Sequence, residues 1–237
     1  MTKAFFNWSG GKDSSLALYH ILKDKKLSID YLLTNLSAEH NRISMHGVPF
    51  ELLKLQAESL NISLETMKIV KDASMDDYSN LVTQKMKFFT DKHITNCVFG
   101  DIFLEDLKKY REKQLDTVGV KAHFPLWKRP TAEIVKEFID LGFKAKVVSI
   151  NAKLLDKSFA GRELDQSFID DLPKEVDVCG ENGEFHSFVY DGPIFKNPIP
   201  IQVNSIVKKE YKSDENSEWD NAFWYADLIL KEKKIVL

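Results

Sequence analysis

Six consecutive residues, Ser9-Gly10-Gly11-Lys12-Asp13-Ser14, bring together the groups that a phosphate needs. Two glycines let the backbone take positive φ and approach an anion closely. Ser9 and Ser14 add hydroxyl donors, and Lys12 adds a full positive charge. The apolar run at residues 3–8 reads as a buried strand. Residues 14–25 place Leu16, Leu18, Ile21 and Leu22 on one helical face, so the hexamer is a strand-to-helix turn. Backbone N–H groups at such a helix start carry partial positive charge and bind anions. The segment is not the ordinary P-loop. Lys12 is followed by Asp13 instead of Ser or Thr, and position 6, where that motif has glycine, is phenylalanine. Asp13 suits either helix capping or contact with Mg²⁺. A bare glycine turn is the plainer account, and the full hexamer behind a buried strand outweighs it.

A second constellation is Gly180-Glu181-Asn182-Gly183-Glu184-Phe185-His186. Glu181 and Glu184 have the chemistry to bind Mg²⁺, orient an amine or act as base. The alternative is a glycine-rich turn with solvated acids, and His186 opens a period-2 run that also fits the polar face of a strand. Gly100 and Asp101 follow an apolar strand, where a carboxylate contacts a nucleotide or its metal, or caps the next helix. Arg42, His46 and Gly47 sit in a polar loop that reads equally as a lid or as a plain connection. Glu133 faces either a cleft or solvent. Cys97 lies inside an apolar strand and reads as core, whereas Cys179 adjoins the second constellation. Lysines at 23–26, 108–109 and 231–234 read as solvated faces.

The elements that position these residues alternate. Strands are expected at 3–8, 29–36, 62–70, 94–99 and 120–126. Helices are expected at 14–25, 49–60, 75–91 and 103–116. Such alternation implies βαβ units, a parallel sheet with helices on both faces, and ligands beyond the carboxyl ends of the strands. The pattern changes near residue 128. A helix at 131–141 and a strand at 143–150 are followed by short pieces. Two alternating segments, PIPIQVNSIVKKEYK and NAFWYADLILKEKK, then read as antiparallel strands around a polar turn, SDENSEWD. The expected division is 1–128 for nucleotide and 129–237 as a smaller α+β region for the acceptor.

The 237 residues suffice for a sizeable core without disulfides or structural metal. A formal net charge of −3 gives no field that favours nucleic acid. Two isolated cysteines form no disulfide framework and fit a reducing compartment. The N-terminus lacks a signal-peptide pattern and no apolar run is long enough to span a membrane, so a cytoplasmic location is expected.

The hexamer SGGKDS resembles the PP-loop of the ATP pyrophosphatases. That likeness implies a Rossmann-like, adenine nucleotide alpha hydrolase-like sheet that binds ATP and releases pyrophosphate. The ordered set SGGKDS, Phe99-Gly100-Asp101-Ile102, HFPLWKRPTAEI (123–134) and VCGENGEFHSFV (178–189) is similar to the diphthine–ammonia ligase family along nearly the whole chain. The resemblance implies adenylation of a carboxylate, that of diphthine on elongation factor 2, followed by attack of ammonia. It implies ATP contacts at Ser9, Gly10, Gly11, Lys12, Asp13, Ser14, Gly100 and Asp101, with Mg²⁺ at Asp13 and Asp101. Lys12, Glu181 and Glu184 are the implied catalytic residues, and Asn182, Gly183, His186 and Glu133 the implied acceptor contacts. Free ammonium is the expected donor, the acceptor is a protein side chain or a small molecule, and a homodimer is kept open. The family usually shows GEGGEFE, whereas Asn182 and His186 here match a bacterial branch linked to corrinoid salvage. Alternatives are therefore the same chemistry on a small molecule, a hydrolase with water as acceptor, or a nucleotide-binding protein without turnover.

Overall fold

The computed structural model describes residues 1–43, 46–70, 73–211 and 221–231. Its first half alternates strand and helix: β1 (Thr2–Asn7), α1 (Lys12–Asp24), β2 (Leu27–Ser37), a short β3 (Arg42–Ile43), α2 (Phe50–Leu60), β4 (Ser63–Ile69), α3 (Met75–Thr90), β5 (Asn96–Val98), α4 (Glu105–Asp116) and β6 (Lys121–His123). β4, β2, β1, β5 and β6 lie side by side in parallel. β3 pairs antiparallel with the end of β2, continuing the line of β1. The strand expected over 120–126 stops at His123 because Pro125 has no N–H for the ladder.

The chain leaves β1 toward β2 and β4, then returns to β1's other side for β5 and β6. The direction of winding therefore reverses between β1 and β5. In an open parallel sheet the crevice beyond the carboxyl ends at such a point holds the ligand. Ser9–Ser14 follows β1 and Gly100-Asp101 follows β5, so both motifs sit on this crevice.

Alternation along β1 divides the apolar contacts between the two faces of the sheet. Phe5 packs with Leu33, Val82, Met86 and Phe89, the last three from α3, and its ring stacks on Phe89 at 4.0 Å. Ala4 and Phe6 join the larger cluster on the other face, with Leu16 and Leu18 of α1 and Leu52 and Leu53 of α2. That cluster runs on into the second half of the chain, through α5 (Thr131–Asp140), β7 (Lys144–Asn151) and β8 (Phe185–Asp191). A 3₁₀ turn (Lys157–Phe159) and a short α6 (Gln166–Asp170) separate β7 from β8, and β9 (Ile201–Tyr211) and β10 (Asn221–Leu230) complete the described chain.

These four strands form an antiparallel sheet in the order β8-β7-β10-β9. The two alternating C-terminal segments are β9 and β10, paired from Asn221↔Tyr211 to Leu230↔Ile201. The expected turn SDENSEWD, Lys233 and Lys234 lie outside the described residues. No helix among the described residues is long and apolar enough to cross a membrane.

Candidate functional site

β1 delivers the loop and α1 receives it. Gly10 has φ +76°, and a β-carbon there would stand 2.6 Å from Gln56 Oε1, so only glycine fits both demands. Gly11 caps α1 and has no side chain to fill the helix start, so the backbone there can come close to an anion in the crevice. Ser9 Oγ accepts from the Gly11 N–H at 3.2 Å and lies 2.9 Å from Ser14 Oγ, which in turn donates to the Gly11 carbonyl. Behind the loop, a β-carbon on Gly100 would lie 2.9 Å from Ser14 N. The end of β5 is thus packed directly on the first turn of α1.

Two supports come from residues the motif does not contain. Gln56 of α2 is fully buried; it accepts from Trp8 Nε1 at 2.9 Å and donates to the carbonyls of Gly10 and Val189 at 3.0 and 2.6 Å. β8 lies along the loop itself. Its Val189 N–H donates to the Gly10 carbonyl at 2.9 Å, and Ser187 Oγ accepts from the Lys12 N–H at 3.1 Å. The second sheet is therefore part of the cradle. Neither support was expected from sequence; the available signal for Gln56 was a polar residue on the apolar stripe Leu52, Leu53, Ala57.

Lys12 is only 4 % exposed, and its ammonium donates to both oxygens of Asp13 at 2.8 and 2.7 Å. Burial pulls its pKa down, but the charge of Asp13, with further help from Cys179 and Glu181, more than offsets this and holds Lys12 above its usual range. Asp101 lies across the crevice beside Arg111, whose guanidinium stacks on Phe99 at 4.4 Å. The Asp101 Oδ2–Arg111 Nε separation is 3.2 Å, yet the atoms are misaligned and neither makes a hydrogen bond. The pair acts through charge alone. Burial raises the Asp101 pKa, with Arg111 opposing and Asp13 adding to the rise.

The two glutamates of the second constellation have different fates. Glu184 is 3 % exposed, and its carboxylate accepts from the backbone N–H groups of Asp177 and Asn182 at 3.1 and 2.9 Å and from Asn182 Nδ2 at 3.1 Å. It binds the turn together from inside. Asp177 does the same from the other end, accepting from Cys179 N at 2.9 Å and from Thr131 Oγ1 at 2.8 Å. Glu181 lines the crevice. Its pKa is pushed up to about 7, by burial first and then by the charge of Asp13. Cys179 donates through Sγ to the Thr131 carbonyl at 3.2 Å, and burial raises its thiol to about 12, so it carries no thiolate at neutral pH.

His186, second residue of β8, stacks on His46 with ring centroids 4.6 Å apart and planes 24° from parallel. His46 Nδ1 lies 3.3 Å from the Ser187 carbonyl. Its loop is clamped by Arg42, which donates to the Gly47 carbonyl at 2.7 Å and to Asp227 of β10 at 2.8 Å. The loop is thus held to the second sheet.

These groups enclose a cleft of about 740 Å³ whose walls include Ser9, Asp13, Ser14, Gly100, Asp101, Glu181, Asn182, Gly183 and His186. A smaller compartment of about 120 Å³ adjoins it, lined by Ser9, Gly11, Lys12, Asp13, Glu181 and His186 among others. Of the residues singled out in the sequence, Gly10 supports the cradle from behind and Glu184 holds the turn. Glu133 is exposed on the first turn of α5 and is not among the residues lining either space. Cys97 is buried in β5. Asp13, Asp101 and Glu181 influence one another electrostatically across the cleft. Among the described residues, no three carboxylate, histidine or cysteine side chains converge closely enough to hold an ion by themselves. This donor set fits an ion that arrives already coordinated by phosphate oxygens, as Mg²⁺ does.

A family model described as the diphthamide synthase N-terminal domain matches residues 2–122, and one described as the diphthamide synthase C-terminal domain matches residues 130–235. The chain is 25% identical over 174 residues to a diphthine–ammonia ligase of Homo sapiens, covering 71% of this chain and 65% of that protein. It is 25% identical over 223 residues to the Mus musculus ligase, covering 84% of this chain and 82% of that protein. Against the ligase of Schizosaccharomyces pombe it is 25% identical over 230 residues, 87% of this chain but 37% of that protein.

Proposed function

Since this chain belongs to the diphthamide synthase family, we propose that it is an ATP-dependent, AMP-forming ligase that joins ammonia to a substrate carboxylate. The observation that carries the reading is the glycine-capped start of α1 at the switch point, flanked by the Ser9, Ser14 and Ser187 hydroxyls, with Lys12 buried beside it. An anion is what such a buried helix end accepts. Residues 1–128 would bind ATP and residues 129–237 would shape the acceptor site, although β8 serves both.

The acceptor carboxylate attacks the α-phosphorus, giving an acyl-adenylate and pyrophosphate. Ammonia then attacks the acyl carbon and AMP leaves. The loop N–H groups and Lys12 hold the charge that collects on the pyrophosphate. Lys12 exchanges Asp13 for a phosphate oxygen as it does so. Asp13 and Asp101 would hold Mg²⁺ together with the phosphates, and the ion would supply further charge neutralisation. Glu181, with a pKa near neutrality, takes the proton that ammonium must lose before it attacks. Asn182, Gly183 and His186 line the same cleft, and Asn182 and Gly183 would meet the acceptor there. The ligase names of the relatives support diphthine as the acceptor. His186, uncharged here, supports a second reading in which the same ATP chemistry acts on a small-molecule carboxylate.

The test is AMP formation from ATP, Mg²⁺ and ammonium with each candidate acceptor, followed by chromatography. Lys12→Ala should lower AMP release by about 10²-fold or more, the scale of losing one charge-stabilising donor. Normal turnover by that variant would place the active site elsewhere.

A further inference from the structure

The small compartment beside α1 is short of positive charge. Lys12 is the one lysine or arginine on its walls among the described residues, and Asp13 already neutralises it. Asp13 and Glu181 line the same walls. Arg111 lines only the wider cleft, and Arg42 is spent on Gly47 and Asp227. A polyphosphate entering this space meets one ion pair and one further carboxyl group, that of Glu181.

The remaining titratable groups here that can gain positive charge are two imidazoles. His46 and His186 line both the compartment and the wider cleft, so they stand where the two spaces join. They come from different layers, one from the loop after β3 and the other from β8, and the Arg42 clamp sets the first over the second. His46 Nδ1 faces a carbonyl, which only an N–H satisfies, so Nε2 keeps its lone pair. Both rings are uncharged in the free protein. Burial holds His46 down to about 4, against the Ser187 carbonyl and with Lys12 adding to the fall. Burial, then His46 and Lys12, hold His186 well below its usual value.

We propose that the stacked His46–His186 pair is a polyphosphate-binding element of this site, taking up one shared proton from solvent as the nucleotide enters and releasing it when pyrophosphate leaves. The inference rests on the ATP reading above. The proton adds to the free nitrogen of the pair, which then donates a charge-assisted hydrogen bond to a phosphate oxygen. The groups facing the pair are Lys12 and Asp13 from α1, Glu181 and Cys179 from the turn, and Ser187 from β8.

The probe is the Mg²⁺ complex of an ATP analogue with a methylene group between the α- and β-phosphates. Its binding is followed calorimetrically at pH 5.5 in two buffers of different ionisation enthalpy. At that pH Glu181 is already protonated, so it adds little to the count. Wild type should take up about one proton more than His46→Asn, and its affinity should rise up to tenfold for each unit fall in pH between 6.5 and 5.5, a slope lost in the variant. His186→Asn should lose part of the same uptake. Binding by wild type with no proton uptake overturns the proposal without recourse to any variant. Equal uptake by wild type and both variants overturns it too. If the analogue does not bind wild type at all, the nucleotide reading falls and takes this one with it.

Discussion

Replacing Glu181 by glutamine should make the free protein more stable at alkaline pH while removing its ligase activity. The folded protein raises this carboxyl from its ordinary 4.5 to about 7, through burial first and the charge of Asp13 second. Between those two values the unfolded chain releases the proton and the folded chain keeps it. Stability therefore falls as pH rises through this window and stays low above it. At about 1.4 kcal/mol per tenfold change in proton affinity, the ionised carboxylate costs on the order of 3 kcal/mol, and about 1–2 kcal/mol once partial solvent screening is allowed for. Glutamine keeps the shape, but it has no charge to place beside Asp13. For a chain of this size each kcal/mol moves the melting temperature by about 2–4 °C. Glu181→Gln should then melt about 2–8 °C above wild type at pH 8 and nearly with it at pH 5, a comparison that cancels every other titrating group. Thermal melts of both proteins at the two pH values, without nucleotide, decide it. A variant that melts with or below wild type at pH 8 refutes the claim that Glu181 is held in an unfavourable ionised state. In the ligase assay the same group predicts an ascending limb of wild-type activity near pH 7.

Two further substitutions separate support from chemistry. Glu184→Gln leaves an acceptor short inside the turn and turns an amide toward backbone N–H donors. It should lower stability by about 1–3 kcal/mol at both pH values, opposite in sign to Glu181→Gln at pH 8, as read by the same melts. Gln56→Leu preserves volume but takes the Gln56 partner from the Trp8 indole N–H and the Val189 carbonyl, and leaves the Gly10 carbonyl with the Val189 N–H alone. A loss of about 2–4 kcal/mol in denaturant unfolding is expected, with weaker binding of the ATP analogue because the loop loses its prop.

The parallel half of the fold was legible because each of its elements announces itself locally. β1 is apolar on both faces, α1 and α2 carry stripes of period near 3.6, and each strand-to-helix turn holds its own punctuation. The loop of residues 9–14 was legible for the same reason, since backbone freedom, hydroxyls and charge are packed into one turn. What sequence could not supply were the contacts made across distance. Ser187 meets Lys12 across 175 positions, and Gln56 reaches Gly10 across 46 and Val189 across 133. No periodicity encodes these meetings, because the first and last depend on how the second sheet docks and the other on how α2 packs over the loop. The pair Glu181 and Glu184 makes the point most sharply. Three residues apart in one motif, they looked interchangeable as acids. The turn closes around Glu184 and saturates it with donors, and the same closure drives Glu181 toward Asp13 in the cleft. A carboxylate with its donors satisfied holds structure; one that is buried near like charge and only partly satisfied sits at a cost, which a bound cation or an accepted proton then relieves.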